Sequence, residues 1–298
     1  MEKITIISTY DSQKIYANLY NVENPKGIVQ ILHGMKEHQL RYKALAEALN
    51  KEQYIVITSD MRGHGENAPF LGYMEGKKTW EALIQDQVSI SKYITKQYPG
   101  LKLHLMGHSM GSILARNVIQ KNADLYEKLI LIGTPPYQVG AKFGILLTKI
   151  LCIFHSNEYV SSLVEKIVLD PFNKGLKNPK TSSDWISYNE KNVEEYIKDP
   201  YCDSPWTLSS YKALFHLLNN QHKKRLFKVS NPELPILFLA GVDDPCTLGE
   251  KGLKTSINDL SKVGYKNITK KLYENMRHEV LNEVNREIVY KDIINFLN

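Results

Sequence analysis

Gly107-His108-Ser109-Met110-Gly111 has the form G-x-S-x-G. Such a segment presents its serine as a nucleophile when it makes a tight turn from a strand into a helix, because the turn pushes the hydroxyl out at the strand's carboxyl end. Bulky side chains would crowd that turn, hence the glycines. The apolar run Leu101 to Met106 precedes the motif, and a helical pattern follows from Ser112 to Lys121. Ser109 is therefore a candidate nucleophile at a helix N-terminus, where amides face developing negative charge. The Met110 N–H is one candidate oxyanion donor. The second is the N–H of Met35 in the His33-Gly34-Met35 loop, after the third apolar run.

A serine nucleophile needs a base, and the base needs an orienting carboxylate. In a strand–turn–helix arrangement of this kind the chain order is serine, acid, histidine. Before the last apolar run, His155, His216 and His222 follow Ser109, all within a stretch that has no strand pattern. His278, in Met276-Arg277-His278-Glu279, follows that last run and is the candidate base. Gly241-Val242-Asp243-Asp244-Pro245 offers two carboxylates, and spacing alone does not choose between them. Asp is also a common turn residue, so one of the pair is read as structural. His64 and His108 are read as packing residues. Cys246 is read as a partly buried bystander near the acid segment.

These residues require a scaffold. Ile4 to Ser8 and Lys14 to Tyr20 read as strands, followed by Ile28 to His33, Tyr54 to Ser59, Leu101 to Met106, Leu129 to Ile132, Pro235 to Ala240 and Ile268 to Tyr273. Helical spacing runs over Leu40 to Asn50, Leu83 to Ile94 and Leu281 to Leu297. The alternation predicts a mainly parallel eight-stranded sheet with helices on both faces. Residues 1–134 and 235–298 make that α/β core. Residues 135–234 carry no buried strand pattern and are too long for a loop, so they are expected to be a helical cap.

Composition excludes several classes. Of 298 residues 43% are apolar and 23% charged, and the net charge is +6, as in an ordinary globular protein. The basic cluster His222 to Arg225 with Lys228 lacks interleaved aromatics and predicts no nucleic-acid partner. Three dispersed cysteines predict neither disulfides nor a zinc site. No metal and no cofactor are expected, because metalloprotease, Walker A and dinucleotide spacings are missing. The N-terminal segment has no signal-peptide pattern and no apolar run reaches about 18 residues, which predicts a cytoplasmic address.

Taken together, His33-Gly34-Met35-Lys36-Glu37-His38 with Arg41-Tyr42, then Asp60-Met61-Arg62-Gly63-His64-Gly65, then Gly107 to Gly111, resemble the monoacylglycerol lipase and lysophospholipase group of α/β-hydrolases, also described as serine aminopeptidase-like. Gly241 to Pro245 and Arg277-His278-Glu279 resemble its acid and base segments. The resemblance implies the α/β-hydrolase fold, and it selects Asp244 over Asp243 as the acid. It also favours Met35 and Met110 as the oxyanion pair, and gives Asp60, Arg62, His64 and Gly65 a buttressing role. A serine carboxylic-ester hydrolase of lipid metabolism follows, acting on single-chain acyl lipids such as monoacylglycerols or lysophospholipids. A serine aminopeptidase, with Glu158, Glu165, Glu194 or Glu195 gripping a free amine, is the alternative; a ligand receptor is a more distant one. Phe143 to Phe154 is the most apolar stretch. It is expected to be a cap helix, either a core element or one that lines an acyl tunnel and makes transient contact with a membrane surface.

Overall fold

The computed structural model describes all 298 residues. Its strands are β1 (Glu2–Ile7), β2 (Lys14–Tyr20), β3 (Gly27–Leu32), β4 (Tyr54–Ser59), β5 (Leu103–His108), β6 (Lys128–Ile132), β7 (Ile236–Gly241) and β8 (Ile268–Tyr273). They form one eight-stranded sheet in the order β1-β2-β4-β3-β5-β6-β7-β8. β1 pairs antiparallel with β2, and β2 with β4; every other pairing is parallel. The helices are α1 (Lys43–Lys51), α2 (Thr79–Gln97), α3 (Met110–Asn122), α4 (Gly140–Phe154), α5 (Ser162–Asn173), α6 (Glu190–Lys198), α7 (Leu208–Asn220), α8 (Gly249–Val263) and α9 (Glu287–Leu297).

The central strands β3, β4, β5 and β7 are buried throughout and mainly apolar because both faces are covered. Side chains alternate across a strand, so Ile28 and Leu32 of β3 join one core with residues of α2, α3 and α8. Val29 and Ile31 join another with Leu45 and Leu49 of α1 and Val289 and Ile293 of α9. β6 divides the same way, with Leu129 and Leu131 on one face and Ile130 and Ile132 on the other. Each such fully buried side chain contributes about 1.5–3 kcal/mol. α4 to α7 lie between β6 and β7 in the chain. α7 packs on α2 and α3, and its Tyr211, Leu214 and Leu217 share their core.

Most strands begin or end within a residue or two of the expected bounds, and three larger or more consequential differences remain. β5 runs through His108, so the residue before Ser109 is still a strand residue with a fixed direction. The closing helix begins at Glu287 rather than Leu281. Residues 281–286 turn instead, because Glu283 accepts the N–H groups of Arg277, Tyr188 and Asn189 and draws this stretch into the loop below His278. α8 has no counterpart in the sequence reading; its start at Gly249 carries no strong capping pattern.

Two glycines set the turn after β5. A Cβ on Gly111 would lie 2.2 Å from the Leu32 carbonyl oxygen, and one on Gly107 2.3 Å from that of Gly111. α3 thus rests directly on the end of β3. Gly111→Ala is expected to lower stability by about 1–3 kcal/mol through this overpacking, read as a reduced midpoint in urea denaturation.

Candidate active site

Parallel strands end on one edge of the sheet, and loops at that carboxyl edge gather functional residues. Met35 follows β3, Ser109 follows β5, Asp244 follows β7 and His278 follows β8. Ser109 has φ 53° and ψ −119°, a strained conformation for a residue with a side chain, costing of order 1–3 kcal/mol. It is over-determined by its neighbours. Its N–H donates to the Ile132 carbonyl at 2.9 Å, and its own carbonyl accepts from Ser112 N at 2.9 Å and Ser112 Oγ at 2.6 Å.

Gly241 allows the acid and base loops to meet, since a Cβ there would lie 2.1 Å from the Met276 carbonyl oxygen. Both carboxylate oxygens of Asp244 lie 3.0 Å from His278 Nδ1. The Cys246 N–H donates to Asp244 Oδ1 at 2.8 Å and fixes the carboxylate from behind. His278 Nε2 is buried and makes no hydrogen bond to the protein, so it is open to accept a proton. Asp243 points elsewhere: its Oδ2 accepts from the exposed Tyr188 hydroxyl at 3.0 Å. The geometry therefore pairs Asp244, not Asp243, with His278. Gly133, at φ 56°, leaves room for the ring: a Cβ would lie 3.0 Å from His278 Cε1.

The Met35 loop approaches the serine closely. A Cβ on Gly34 would lie 3.2 Å from Ser109 Cβ, and the Met35 N–H donates to no backbone carbonyl. Met110 is the first residue of α3, where helix amides lack intrahelical acceptors. Beneath the loop is a buried charged cluster that motif reading did not single out. Glu37 Oε1 accepts from the Gly34 N–H and from the Tyr42 hydroxyl, and lies 3.2 Å from His108 Nδ1. Glu37 Oε2 is 3.2 Å from Arg41 Nε, and Arg41 also pairs with Glu279. Burial alone would raise the Glu37 carboxyl, but the hydrogen bond and charge of His108, with Arg41, hold it well below the usual carboxylate range. His108 is thus more than a packing residue. The signal was present in Lys36-Glu37-His38 and Arg41-Tyr42, but nothing local says which charges become buried.

His64 packs edge-on against His33 and Trp206, and burial pushes its imidazole down to about 3, next to the influence of His33. Asp60 accepts from the Gln39 backbone at 2.9 Å and its side-chain amide at 2.8 Å, and Arg62 pairs with Asp86 and Asp11, so both buttress loops. Gly65 is needed beside Asp60, whose carboxylate a Cβ would strike at 2.1 Å. Cys246 is closer to the chemistry than a bystander. It is buried, and its sulfur lies within 4.8 Å of ligand atoms of Asp244 and His278. Burial and the Asp244 charge push its thiol well above its ordinary value.

Two cavities meet at Ser109, Met35 and Trp185. One, of about 400 Å³, is polar, with Lys36, Glu37, Glu165, Asn173 and Asp203 in its wall. The other, of about 250 Å³, is apolar, with Ile113, Phe172, Leu214, Phe215 and Leu248 in its wall. α4 contributes Gly140 and Ala141 to the apolar cavity, not Phe143 to Phe154. That corrects the expectation that this stretch lines an acyl tunnel. The reason is that α4 turns Ala141, Gly144 and Thr148 inward, with Gly144 against the Phe215 ring, keeps Ile145, Leu147 and Leu151 half-buried against the core, and leaves Phe143, Leu146, Ile150, Ile153 and Phe154 exposed. No helix is long and apolar enough to cross a membrane.

Comparison with known proteins agrees with this architecture. The family model described as "Serine aminopeptidase, S33" matches residues 23–285. The chain is 24% identical to the monoglyceride lipase homolog of Monkeypox virus over 298 residues, covering 95% of this chain and 94% of that one. It is 22% identical to the monoacylglycerol lipase of Mycolicibacterium smegmatis, covering 92% and 89%. The structure of a thermostable carboxyl esterase from Bacillus coagulans in complex with glycerol superposes with TM-score 0.90 at 26% identity, covering 100% of this chain and 97% of that one. With the match to the family model spanning most of the sheet and every motif named above, this chain belongs to the serine aminopeptidase S33 family and is a hydrolase of the α/β-hydrolase superfamily.

Proposed function

We propose that the chain is a serine carboxylic-ester hydrolase for single-chain acyl lipids with a neutral polar head, monoacylglycerols before lysophospholipids. The observation that carries this is the junction at Ser109 of an apolar and a polar cavity. Ser109 attacks the ester carbonyl with the acyl chain in the apolar cavity. His278 takes the serine proton and returns it to the leaving alcohol in the polar cavity, while Asp244 holds the imidazole in the right tautomer. The amides of Met35 and Met110 receive the oxyanion, a contribution of several kcal/mol. Water then deacylates the enzyme.

The head-group preference rests on charge. Lys36 is buried and already paired with Glu165 and Asp203, and Arg41 with Glu37 and Glu279. A phosphate entering the polar cavity would meet Glu37, Glu165, Asp170, Asp203 and Glu279, against the already paired Lys36 and one further lysine, Lys166. A polyol meets hydrogen-bonding groups of both kinds. The same pairing weighs against the aminopeptidase alternative. Glu165 is held by Lys36, Glu194 by Lys198 and Glu195 by Lys191, and Glu158 lines a separate cavity, which leaves them poor grips for a substrate ammonium. A chain-length series of monoacylglycerols, lysophosphatidylcholines and short p-nitrophenyl esters tests the reading, with aminoacyl arylamides alongside. Long-chain monoacylglycerols are expected to show kcat/KM at least about 10-fold above the matching lysophosphatidylcholines, a difference of ~1.4 kcal/mol. Preference for arylamides would reject it.

We further propose that residues 135–234 act as a cap over the site, with α7 as its root, and that α4 touches a lipid surface transiently. Phe143, Ile153 and Phe154 are 68–76% exposed, and Lys142 and Lys149 lie on the same helix. Replacing Phe143, Ile153 and Phe154 together by serine is expected to lower vesicle binding, measured by co-sedimentation, while hydrolysis of a soluble short ester stays within about twofold of wild type. Equal vesicle binding by the variant would remove the surface role.

A further inference from the structure

We propose that His108 is a positioning residue held as a doubly protonated imidazolium, a clip that ties the Met35 loop, the Ser109 turn and the His278 loop together. Its kinetic consequence rests on the serine-hydrolase reading; its protonation state follows from geometry alone. Tyr42 Oη lies 2.7 Å from Glu37 Oε1 and 3.0 Å from His108 Nδ1, and Nδ1 lies 3.2 Å from Glu37 Oε1. Two oxygens at 2.7 Å need a proton between them. The Glu37 carboxylate already accepts the Gly34 N–H and faces Arg41, so the phenol supplies that proton. Tyr42 has no second one to offer, and Nδ1, facing two oxygen acceptors, carries its own. On the other side of the ring, Nε2 lies 3.2 Å from the His278 carbonyl oxygen, which can only accept. Both ring nitrogens therefore donate.

The charge count agrees. The groups facing this cluster are Glu37, Glu279, Arg41, Tyr42 and the His278 ring, whose centroid is 4.7 Å from that of His108. Burial pushes Tyr42 up, with Glu37 adding to it, so the phenol stays neutral. With His108 charged, two buried carboxylates meet two cations. With His108 neutral, an uncompensated negative charge would remain in the interior, which is costly. Each end of the clip grips part of the machinery. Glu37 holds the amide of Gly34, next to Met35; His108 adjoins Ser109; and its Nε2–H holds the backbone of His278 itself. Loops from β3, β5 and β8 are thereby set relative to one another, and a displacement of about 1 Å in such a constellation can cost ~100-fold in rate.

Burial opposes the charged form of His108, but the hydrogen bond and charge of Glu37 outweigh it and raise the imidazole above its ordinary value. The clip is therefore intact below the ordinary value of about 6.5 and is lost as pH rises through the raised one. The direct test is nitrogen NMR of the isotope-labelled wild-type protein, with the His108 ring assigned by through-bond correlation to its own backbone. Both His108 nitrogens are expected to be protonated at about pH 7. An unprotonated nitrogen there overturns the proposal, and this reading does not depend on how any variant folds. Kinetically, His108→Gln is expected to lower kcat on a short p-nitrophenyl ester about 10- to 100-fold, with KM moved less than about threefold. It should also remove the alkaline fall in kcat. Because His108 lines the polar cavity, added imidazole is expected to restore part of the activity of His108→Ala. Wild-type kcat and a wild-type alkaline limb in a folded His108→Gln would overturn the positioning role. Full activity in Ser109→Ala would instead reject the serine-hydrolase reading and leave the NMR result standing.

Discussion

Ser109→Ala is expected to lose ester hydrolysis by at least about 10³-fold in kcat/KM while folding normally. The substitution removes one oxygen and keeps the Cβ. The backbone at φ 53° is held by the Ile132 and Ser112 hydrogen bonds, to which the side chain contributes nothing. Alanine bears the same strain as serine there, so the thermal midpoint should stay close to wild type. Rates on a short p-nitrophenyl ester and on a monoacylglycerol, with a melting curve for each protein, make the measurement. A variant that retains more than a few per cent of activity, roughly what loss of a minor contact would leave, would place the nucleophile elsewhere.

Asp244→Asn is expected to lower kcat by about 10⁴-fold with little change in structure. Both carboxylate oxygens face His278 Nδ1 at 3.0 Å, so in the wild type the Nδ1 proton has an acceptor on either side and Nε2 is left free to accept. An asparagine offers an N–H donor on one side. It also keeps an oxygen for the Cys246 amide, which now holds Asp244 Oδ1 at 2.8 Å. The amide nitrogen is then turned toward His278 and favours the tautomer with its proton on Nε2, which cannot take the serine proton. Asp243→Asn is the matched control. Its carboxylate meets only the exposed Tyr188 hydroxyl in the turn, and kcat should stay within about twofold. The reverse outcome, loss in Asp243→Asn and activity in Asp244→Asn, would move the acid to the neighbouring residue. A pH profile of kcat on wild type adds an independent check, since only the neutral imidazole of His278 can act as base.

These predictions name residues that were all visible in the sequence, and the reason is local. Ser109 needs a strand before it, a helix after it and glycines around it, conditions that lie within a few residues along the chain. The apolar runs at Ile28, Tyr54, Leu129 and Ile236 announce buried parallel strands because side chains on both faces of such strands must be apolar. His278 could be found by its place after the last strand. Element ends were less legible. The strand before Ser109 runs on to His108, and the closing helix waits until Glu287 because the Glu283 side chain is drawn to the backbone N–H groups of Arg277 and of the distant Tyr188 and Asn189.

Other assignments needed contacts between residues far apart in the chain. Asp243 and Asp244 are both acceptable turn residues, and only the packing of Gly241 on the Met276 carbonyl brings one of them to His278. Whether an apolar helix faces inward depends on its neighbour. In α4 the fit of Gly144 against Phe215 turns Phe143, Ile153 and Phe154 to solvent. The ionic cluster of Glu37, Arg41, His108 and Glu279 joins segments more than 200 residues apart, and charge in a sequence carries no mark of its future burial. Spacing along the chain was enough for the sheet and for the candidate nucleophile and base, since strands, helices and tight turns are governed by near neighbours. The pairing of Asp244 with His278, which the resemblance implied and spacing left open, the direction of the apolar face and the charged cluster beneath the Met35 loop came from tertiary packing, because desolvation and hydrogen-bond partnership are properties of the folded surroundings.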